Sequence, residues 1–458
     1  MIQLSDPRHL PLYELIYRQL REEIATGQRK AGEKLPSKRA LAQQLGISIN
    51  TVEGAYHQLE SEGFIEARAR SGFYVLPLSA LLPMERAQPV PAAPVADCPP
   101  EIDFAVGAVD AAAFPMNIWQ RLTRSCLNQP GVLSRSEVQG DLGLRREIVQ
   151  YLARARGVHC APEQMLLGAS TEELLRTLCD LLPEQCSFVV ENPAYHKAYL
   201  HFSRMGHSVL PAQMDGKGVL VEPLEPLDRV VVYTAPSHQY PLGFAMPMGR
   251  RTALLAWCSR GNFRYVIEDD YDSEFRYDAK PLPSLQSIDR SDRVVYLGTM
   301  SGVIAPALRI SYMILPPTLC AAFHERRALY SCNSATLSQY TLREFMRLGY
   351  FEKHLNRMRV CYRNRRRELV QLLAPYAGRL QVIGAPAGSY LLVQVPGAQG
   401  EDALCASALR LGVRVYPIGP YFMGAVPKEY ANTVLLGFGN LSGEAMRQGV
   451  ARLAAAWL

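Results

Sequence analysis

No run of 18 uninterrupted apolar residues occurs in the 458-residue chain, which leaves no candidate for a membrane-spanning helix. The opening Met1-Ile2-Gln3-Leu4-Ser5-Asp6-Pro7-Arg8 has no apolar core of the kind a secretory leader needs. Ten cysteines are present but scattered, with no C-x-x-C pair and no zinc spacing. Neither a disulfide framework nor a metal site is expected from them. Excess charge is small too: 49 Lys plus Arg against 43 Asp plus Glu leaves +6, too little to identify a polyanion partner by itself. Lysine is absent between Lys280 and Lys353, a gap that matters below. What is there, 48% hydrophobic and 20% charged residues, describes an ordinary globular protein with reduced thiols, expected in the cytoplasm and long enough for two or three domains.

From Pro77 to Pro100 the chain changes character, with Pro83, Pro89, Pro91, Pro94 and Pro99 set among Ala, Val and Ser and no periodicity of either kind. Such a stretch favours extended polyproline II and can separate two domains by up to roughly 70 Å. The expected division is a small module over 1–77, a linker over 78–100 and a large module over 101–458.

In the small module Leu12, Leu15, Ile16, Leu20 and Ile24 recur at the spacing of one helix face before Gly27. A second helix is expected after an N-cap at Ser37, with Leu41, Ala42 and Leu45 inward and Gly46 as its stop. A third, capped by Asn50, carries Val52, Ala55, Tyr56 and Leu59 on its buried stripe and ends at Gly63. Two short helices joined by a glycine-containing turn describe a helix-turn-helix. Two strands, over 64–68 and 73–76, then make a wing. In this arrangement Ser48, Asn50 and Thr51 face base edges or phosphates in a major groove, while Arg39, Arg68 and Arg70 meet the backbone. The plainer alternative is that these residues are caps and solvated surface.

The ordered string Leu35-Pro36-Ser37-Lys38-Arg39-Ala40-Leu41-Ala42, Leu45-Gly46-Ile47-Ser48, Asn50-Thr51-Val52 and Ala55-Tyr56 resembles the winged helix-turn-helix of GntR-family transcription regulators. The resemblance implies double-stranded operator DNA as partner. It also implies a contact set of Ser37, Lys38, Arg39, Ser48, Asn50, Thr51, Tyr56, Arg68, Arg70 and Gly72. Ile49 departs from the family, which usually has arginine there. Residues 1–78 carry ten basic and nine acidic side chains, so phosphate attraction is modest and dimerisation matters for affinity. A second basic cluster, Arg357, Arg359, Arg363, Arg365, Arg366 and Arg367, reads as a solvated or ion-paired helix face, with an auxiliary DNA contact as the alternative.

Beyond residue 100 short β-branched runs alternate with helical segments: Phe188-Val189-Val190, Val230-Val231-Val232-Tyr233, Tyr265-Val266-Ile267 and Val294-Val295-Tyr296-Leu297. Continuous apolar strands between helices predict an α/β domain with a mostly parallel sheet covered on both faces. Ligands of such sheets sit at the carboxyl ends of the strands. Polar clusters follow there: Thr234 to Gln239, Glu268-Asp269-Asp270-Tyr271 and Gly298-Thr299-Met300-Ser301.

Taken in order, these clusters resemble the fold type I aminotransferase domain, and with the winged helix the whole chain is similar to the MocR subfamily of GntR regulators. Supporting stretches are Phe114-Pro115 with Trp119, Leu144 to Ile148, Arg154 to Val158, Ala235 to Gln239, Glu268 to Phe275 and Ala305 to Arg309. The resemblance implies a pocket for pyridoxal 5′-phosphate. Asp269 would pair with the ring nitrogen and Tyr271 with the ring hydroxyl. Ala169, Ser170, Thr171, Thr299, Ser301 and Arg309 would hold the phosphate, and Tyr195 would lie against the ring. It further implies a homodimer and a small-molecule effector, with no membrane and no metal involved.

One residue of the pattern is missing. The lysine that tethers the cofactor in the family follows the Ser of Gly-Thr-x-Ser, and here Gly298-Thr299-Met300-Ser301 is followed by Gly302. Lys280, in a Lys-Pro-Leu-Pro segment, is a remote substitute. The stretch Val434 to Phe438 lacks the arginine with which many aminotransferases grip a carboxylate, and Ala307 replaces a glycine. The expectation is a catalytically inactive aminotransferase homologue that binds a B6 vitamer without a covalent link. The alternative is an active aminotransferase using another base.

Overall fold

A computed structural model describes residues 10–77, 100–183, 185–277, 282–384 and 387–458. The expected linker, Pro100 apart, and Lys280 lie outside the described residues. The chain divides into two units, Met1–Asp97 and Cys98–Leu458.

The small unit holds helices α1 (Leu12–Ala25), α2 (Lys38–Leu45) and α3 (Ile49–Ser61), followed by the antiparallel strands β1 (Ile65–Arg68) and β2 (Gly72–Val75), with Arg68 opposite Gly72. Ser37 starts α2 by accepting a hydrogen bond from the Ala40 amide at 3.1 Å, and Gly46 ends it in the left-handed conformation that glycine adopts without strain. The cap of α3 is Ser48 and not Asn50. The Ser48 backbone is extended and its Oγ accepts from the Thr51 amide at 3.2 Å, which moves Asn50 into the first helical turn. Ile16, Leu20, Leu41, Val52, Ala55, Tyr56, Leu59 and Val75 close the core. Each of the buried Ile, Leu and Val side chains contributes about 1.5–3 kcal/mol by leaving water.

In the large unit seven strands form the main sheet: β3 (Met165–Gly168), β4 (Ser187–Val190), β5 (Val209–Pro211), β6 (Val230–Thr234), β7 (Arg264–Asp270), β8 (Val294–Thr299) and β9 (Ser311–Ile314), in the order β3-β9-β8-β7-β6-β4-β5. The strands from β8 to β5 pair in parallel, and β9 runs antiparallel to both its neighbours. Strand residues alternate faces, so Val231, Tyr233 and Ile267 pack with Leu174 and Phe202, while Val230, Val232 and Val266 pack with Leu254 and Trp257. Every residue of β6 is buried, as a strand covered on both faces requires. A smaller antiparallel sheet near the C-terminus orders β10 (Gln381–Ile383), β11 (Tyr390–Gln394), β13 (Thr433–Gly437) and β12 (Tyr416–Pro417). β7 and β8 run further than their apolar cores, so Glu268, Asp269 and Asp270 are the last residues of β7 and Thr299 closes β8.

Candidate functional site

The three acids that end β7 meet three different environments, because a strand turns successive side chains to opposite faces. Glu268 is fully buried and accepts from the Leu285 and Gln286 amides, each at 2.9 Å. Asp270 forms a buried ion pair with Arg156 at 2.7 Å, with side chains 2% and 3% exposed, and also accepts from the Tyr296 hydroxyl. Asp269 faces the other way, into a cavity of about 370 Å³, where the Tyr233 hydroxyl donates to it and no cation among the described residues does. Burial without a counter-charge pushes the Asp269 carboxyl up to about 7.

Around Asp269 the cavity gathers Ser170, Thr171, Tyr195, Tyr271, Thr299, Ser301, Gly302 and Arg309. The expected set thus converges, with one exception. Ala169 does not line the cavity, and its amide donates to Glu173 Oε2 at 2.7 Å as part of the turn that begins the helix Thr171–Leu181. Ser170 caps that helix, accepting from the Glu173 amide at 3.2 Å, so the helix N-terminus and its partial positive charge border the cavity. Thr299 Oγ1 accepts from the Ser301 amide at 3.1 Å and from Ser311 Oγ at 3.1 Å. The Arg309 guanidinium has no hydrogen-bond or ion-pair partner among the described residues. At Gly302 an added Cβ would meet only the Tyr271 carbonyl at 3.6 Å, ordinary contact, and the backbone does not take a positive φ. Nothing about the chain path requires glycine there.

Several lining residues lay outside the expected set. Glu191 follows β4, is 2% exposed and accepts from the Thr234 hydroxyl and, at 3.1 Å, from the Ala235 amide. Burial raises it to about 7. Its place directly after an apolar strand is the signal that could have found it. Glu172 accepts from the Tyr195 hydroxyl at 3.0 Å and pairs with Lys197 at 3.5 Å. His238 Nδ1 stands 2.8 Å from Asp272 Oδ2 and 2.9 Å from the Tyr271 hydroxyl, which fixes the phenol in the cavity wall. Tyr240 and Tyr390 complete that wall, their ring centroids 5.6 Å apart.

In the small unit, Ser48, Asn50, Arg39 and Arg70 are exposed, as is Ile49 at 45% at the head of α3. Lys38 pairs with Glu53 at 2.6 Å, and Arg68 pairs with Glu66 and lies over the Tyr74 ring at 4.5 Å. Ser37 is occupied as a cap and Gly72 belongs to β2. Tyr56 corrects the expected contact set: it is wholly buried and its hydroxyl donates to the Pro36 carbonyl at 2.9 Å, so it braces α3 against the segment before α2 and is closed to DNA.

An exposed helix-turn-helix with a wing, and a doubly covered sheet with an acid, an arginine and a helix N-terminus around one cavity, define a DNA-binding regulator joined to an aminotransferase-like domain. Residues 12–75 match the gntR family of bacterial regulatory proteins, and residues 100–426 match aminotransferase class I and II. The chain is 38% identical to the uncharacterized HTH-type transcriptional regulator YdeL of Bacillus subtilis, covering 98% of this chain and 97% of that one. It is 31% identical to the probable rhizopine catabolism regulatory protein MocR of Rhizobium meliloti, over 100% and 96%. It is also 31% identical to the pyridoxine biosynthesis transcriptional regulator PdxR of Corynebacterium glutamicum, over 95% and 93%. Among solved structures it is similar to an archaeal alanine:glyoxylate aminotransferase, with a TM-score of 0.70 at 25% identity over 78% of this chain and 90% of that one. This chain belongs to the MocR-type transcriptional regulators of the GntR family.

Proposed function

We propose that the large domain is a receptor and not a catalyst: it binds a phosphorylated B6 vitamer without a covalent link and, as a homodimer, passes its occupancy to the winged helices that read operator DNA. The observation that carries this is Gly302. A lysine there would serve both as tether and as the base that moves a proton, and neither role has a replacement at that position. The residues present fit the vitamer, because among the described residues Asp269 is a buried carboxylate without a cation and Arg309 a cation without an anion, in one cavity.

When bound, the vitamer supplies an aldehyde and a ring nitrogen that accepts electron density. Asp269 would accept a hydrogen bond from that nitrogen, oriented by Tyr233. Tyr271, fixed by His238, would meet the ring hydroxyl. Ser170, Thr171, Thr299, Ser301 and Arg309 would hold the phosphate, with Tyr195 against the ring. Binding would give the buried Asp269 carboxylate a positive partner and the exposed Arg309 an anion, a gain available only to the filled state. Two winged helices would then read a two-fold or direct repeat, and the cytoplasm is where that DNA is met.

Titration of the full-length protein with pyridoxal 5′-phosphate, followed by calorimetry and absorbance and repeated with promoter DNA, tests the reading. Heat of binding, with a shifted operator affinity, is expected. Absence of both, or formation of a keto acid from an amino donor, overturns it.

A further inference from the structure

The charges of the cavity wall are unevenly placed. Among the described lining residues the cations are Arg309 and Lys197. Both act at the end where Ser170 and Thr171 begin their helix: Lys197 pairs with Glu172 at 3.5 Å, and Tyr195, which donates to Glu172, also feels the charge of Arg309. The remaining described lining residues include no further cation and are aromatic, acidic, or small and uncharged. Tyr240 lies 5.6 Å by ring centroids from both Tyr271 and Tyr390, and Glu191, Asp269 and Asp272 add three carboxylates. The phenols are already engaged, since Tyr390 donates to the Pro241 carbonyl at 3.1 Å and Tyr271 bonds His238.

In the stretch Val434 to Phe438, which lacks a carboxylate-gripping arginine, Leu435 is fully buried against Leu242, Tyr390 and Phe422. Arg365, which donates to the Gly439 carbonyl just past that stretch, is also held by Asp110 at 2.6 Å. A second anionic group on the ligand would therefore lie near carboxylates with no further cation among the described lining residues to balance it, which disfavours it as a clash would.

From this distribution we infer that the cavity selects a ligand with a single anionic end: a phosphorylated B6 vitamer, alone or joined to a simple amine, and not one joined to an α-amino acid. The inference rests on the B6 reading above and narrows it. Arg309 anchors the one anion, and the aromatic wall with Leu435 behind it receives whatever uncharged group the vitamer carries.

Stable reduced adducts make the test independent of any turnover. The full-length protein is titrated by calorimetry with pyridoxal 5′-phosphate, pyridoxal, N-(5′-phosphopyridoxyl)-L-leucine and its decarboxylated counterpart N-(5′-phosphopyridoxyl)-3-methylbutylamine. The amine adduct is expected to bind at least about tenfold more tightly than the leucine adduct, and pyridoxal to bind far more weakly than its phosphate. Equal or tighter binding of the leucine adduct, with pyridoxal 5′-phosphate still bound, overturns the selectivity and leaves the B6 reading standing. Failure of every phosphorylated compound to bind overturns both.

Discussion

At the head of α3 the polar side chains stand in water and are held by hydrogen bonds three residues away, as Ser48 is to Thr51. In the cavity of the large unit Asp269, Glu191 and Asp272 are held by Tyr233, Thr234 and His238, each more than 30 residues distant in the chain. The first arrangement leaves its donors and acceptors free for a partner whose charge comes from outside. The second holds unbalanced charge around a cavity, with Asp269 buried, where it acts on a ligand that enters. A surface reader and a buried receptor are thus built from the same residue types by opposite use of solvent.

The widest separation between the units is expected at Tyr56. Tyr56→Ala removes a fully buried ring and should destabilise the small unit by about 3–5 kcal/mol, abolishing DNA binding while B6 binding by the large unit survives. Asn50→Ala should weaken DNA binding with no change in melting temperature. Calorimetric melting alongside gel-shift titration distinguishes the two, and loss of vitamer binding in Tyr56→Ala would break the separation.

Gly302→Lys inverts the second arrangement. The Cβ has room beside the Tyr271 carbonyl at 3.6 Å, so the introduced amine can reach the cavity without moving the chain. Full-length variant plus pyridoxal 5′-phosphate should show a band at longer wavelength and, after borohydride reduction, a mass increase on the peptide containing that position. An unmodified peptide would mean that the site has lost more than its lysine.

The charge on Asp269 gives the next effect its sign. Burial holds its folded-state value near 7, above the ordinary carboxylate range, so between about pH 4 and pH 7 the folded domain binds a proton that the unfolded chain releases. Stability of the ligand-free unit therefore falls as pH rises through that window, and Glu191 and Glu268, also near 7, add to the same trend. A protonated ring nitrogen prefers the ionised acid, so the thermal stabilisation by pyridoxal 5′-phosphate should be larger at about pH 8 than at about pH 6. Asp269→Asn should bind more weakly and lose that difference; an unchanged difference in the variant would assign the titration to another group.

Much of this was legible in the residues. Helix periodicities, the Ser37 cap and the apolar strands emerge from local pattern, and the sheet follows because buried parallel strands leave unbroken β-branched runs. Asp269, Tyr271 and Arg309 were legible through motif order. Three things were not. The cap of α3 falls on Ser48 because its backbone is extended, a choice between two good capping residues that spacing alone cannot make. Tyr56 was expected both in the core and on DNA, and only the Pro36 carbonyl shows which. Glu172, Glu191 and Lys197 reach the cavity through the folding of distant segments, which no window of sequence contains.

A smaller effect is expected at Arg39, exposed and without an ion pair among the described residues: Arg39→Ala should weaken binding uniformly across DNA sequences and lower the salt slope by about one. The smallest belongs to the long helix Tyr350–Leu373, whose six arginines offered a second DNA surface. Arg357 donates to the Ala113 carbonyl, Arg359 to the Glu274 carbonyl at 2.7 Å, and Arg365 to Asp110, so these tie the helix to its own domain. Arg363 and Arg367 remain exposed, separated along the helix by about 6 Å of rise. Two cations on one exposed stripe are fewer than a backbone-tracking surface needs, since each phosphate neutralised contributes about 0.9 to the salt slope. Arg363→Ala with Arg367→Ala should therefore leave both operator affinity and its salt dependence unchanged. A slope reduced by about two would place the large domain on the DNA backbone and erase the division of labour between the units.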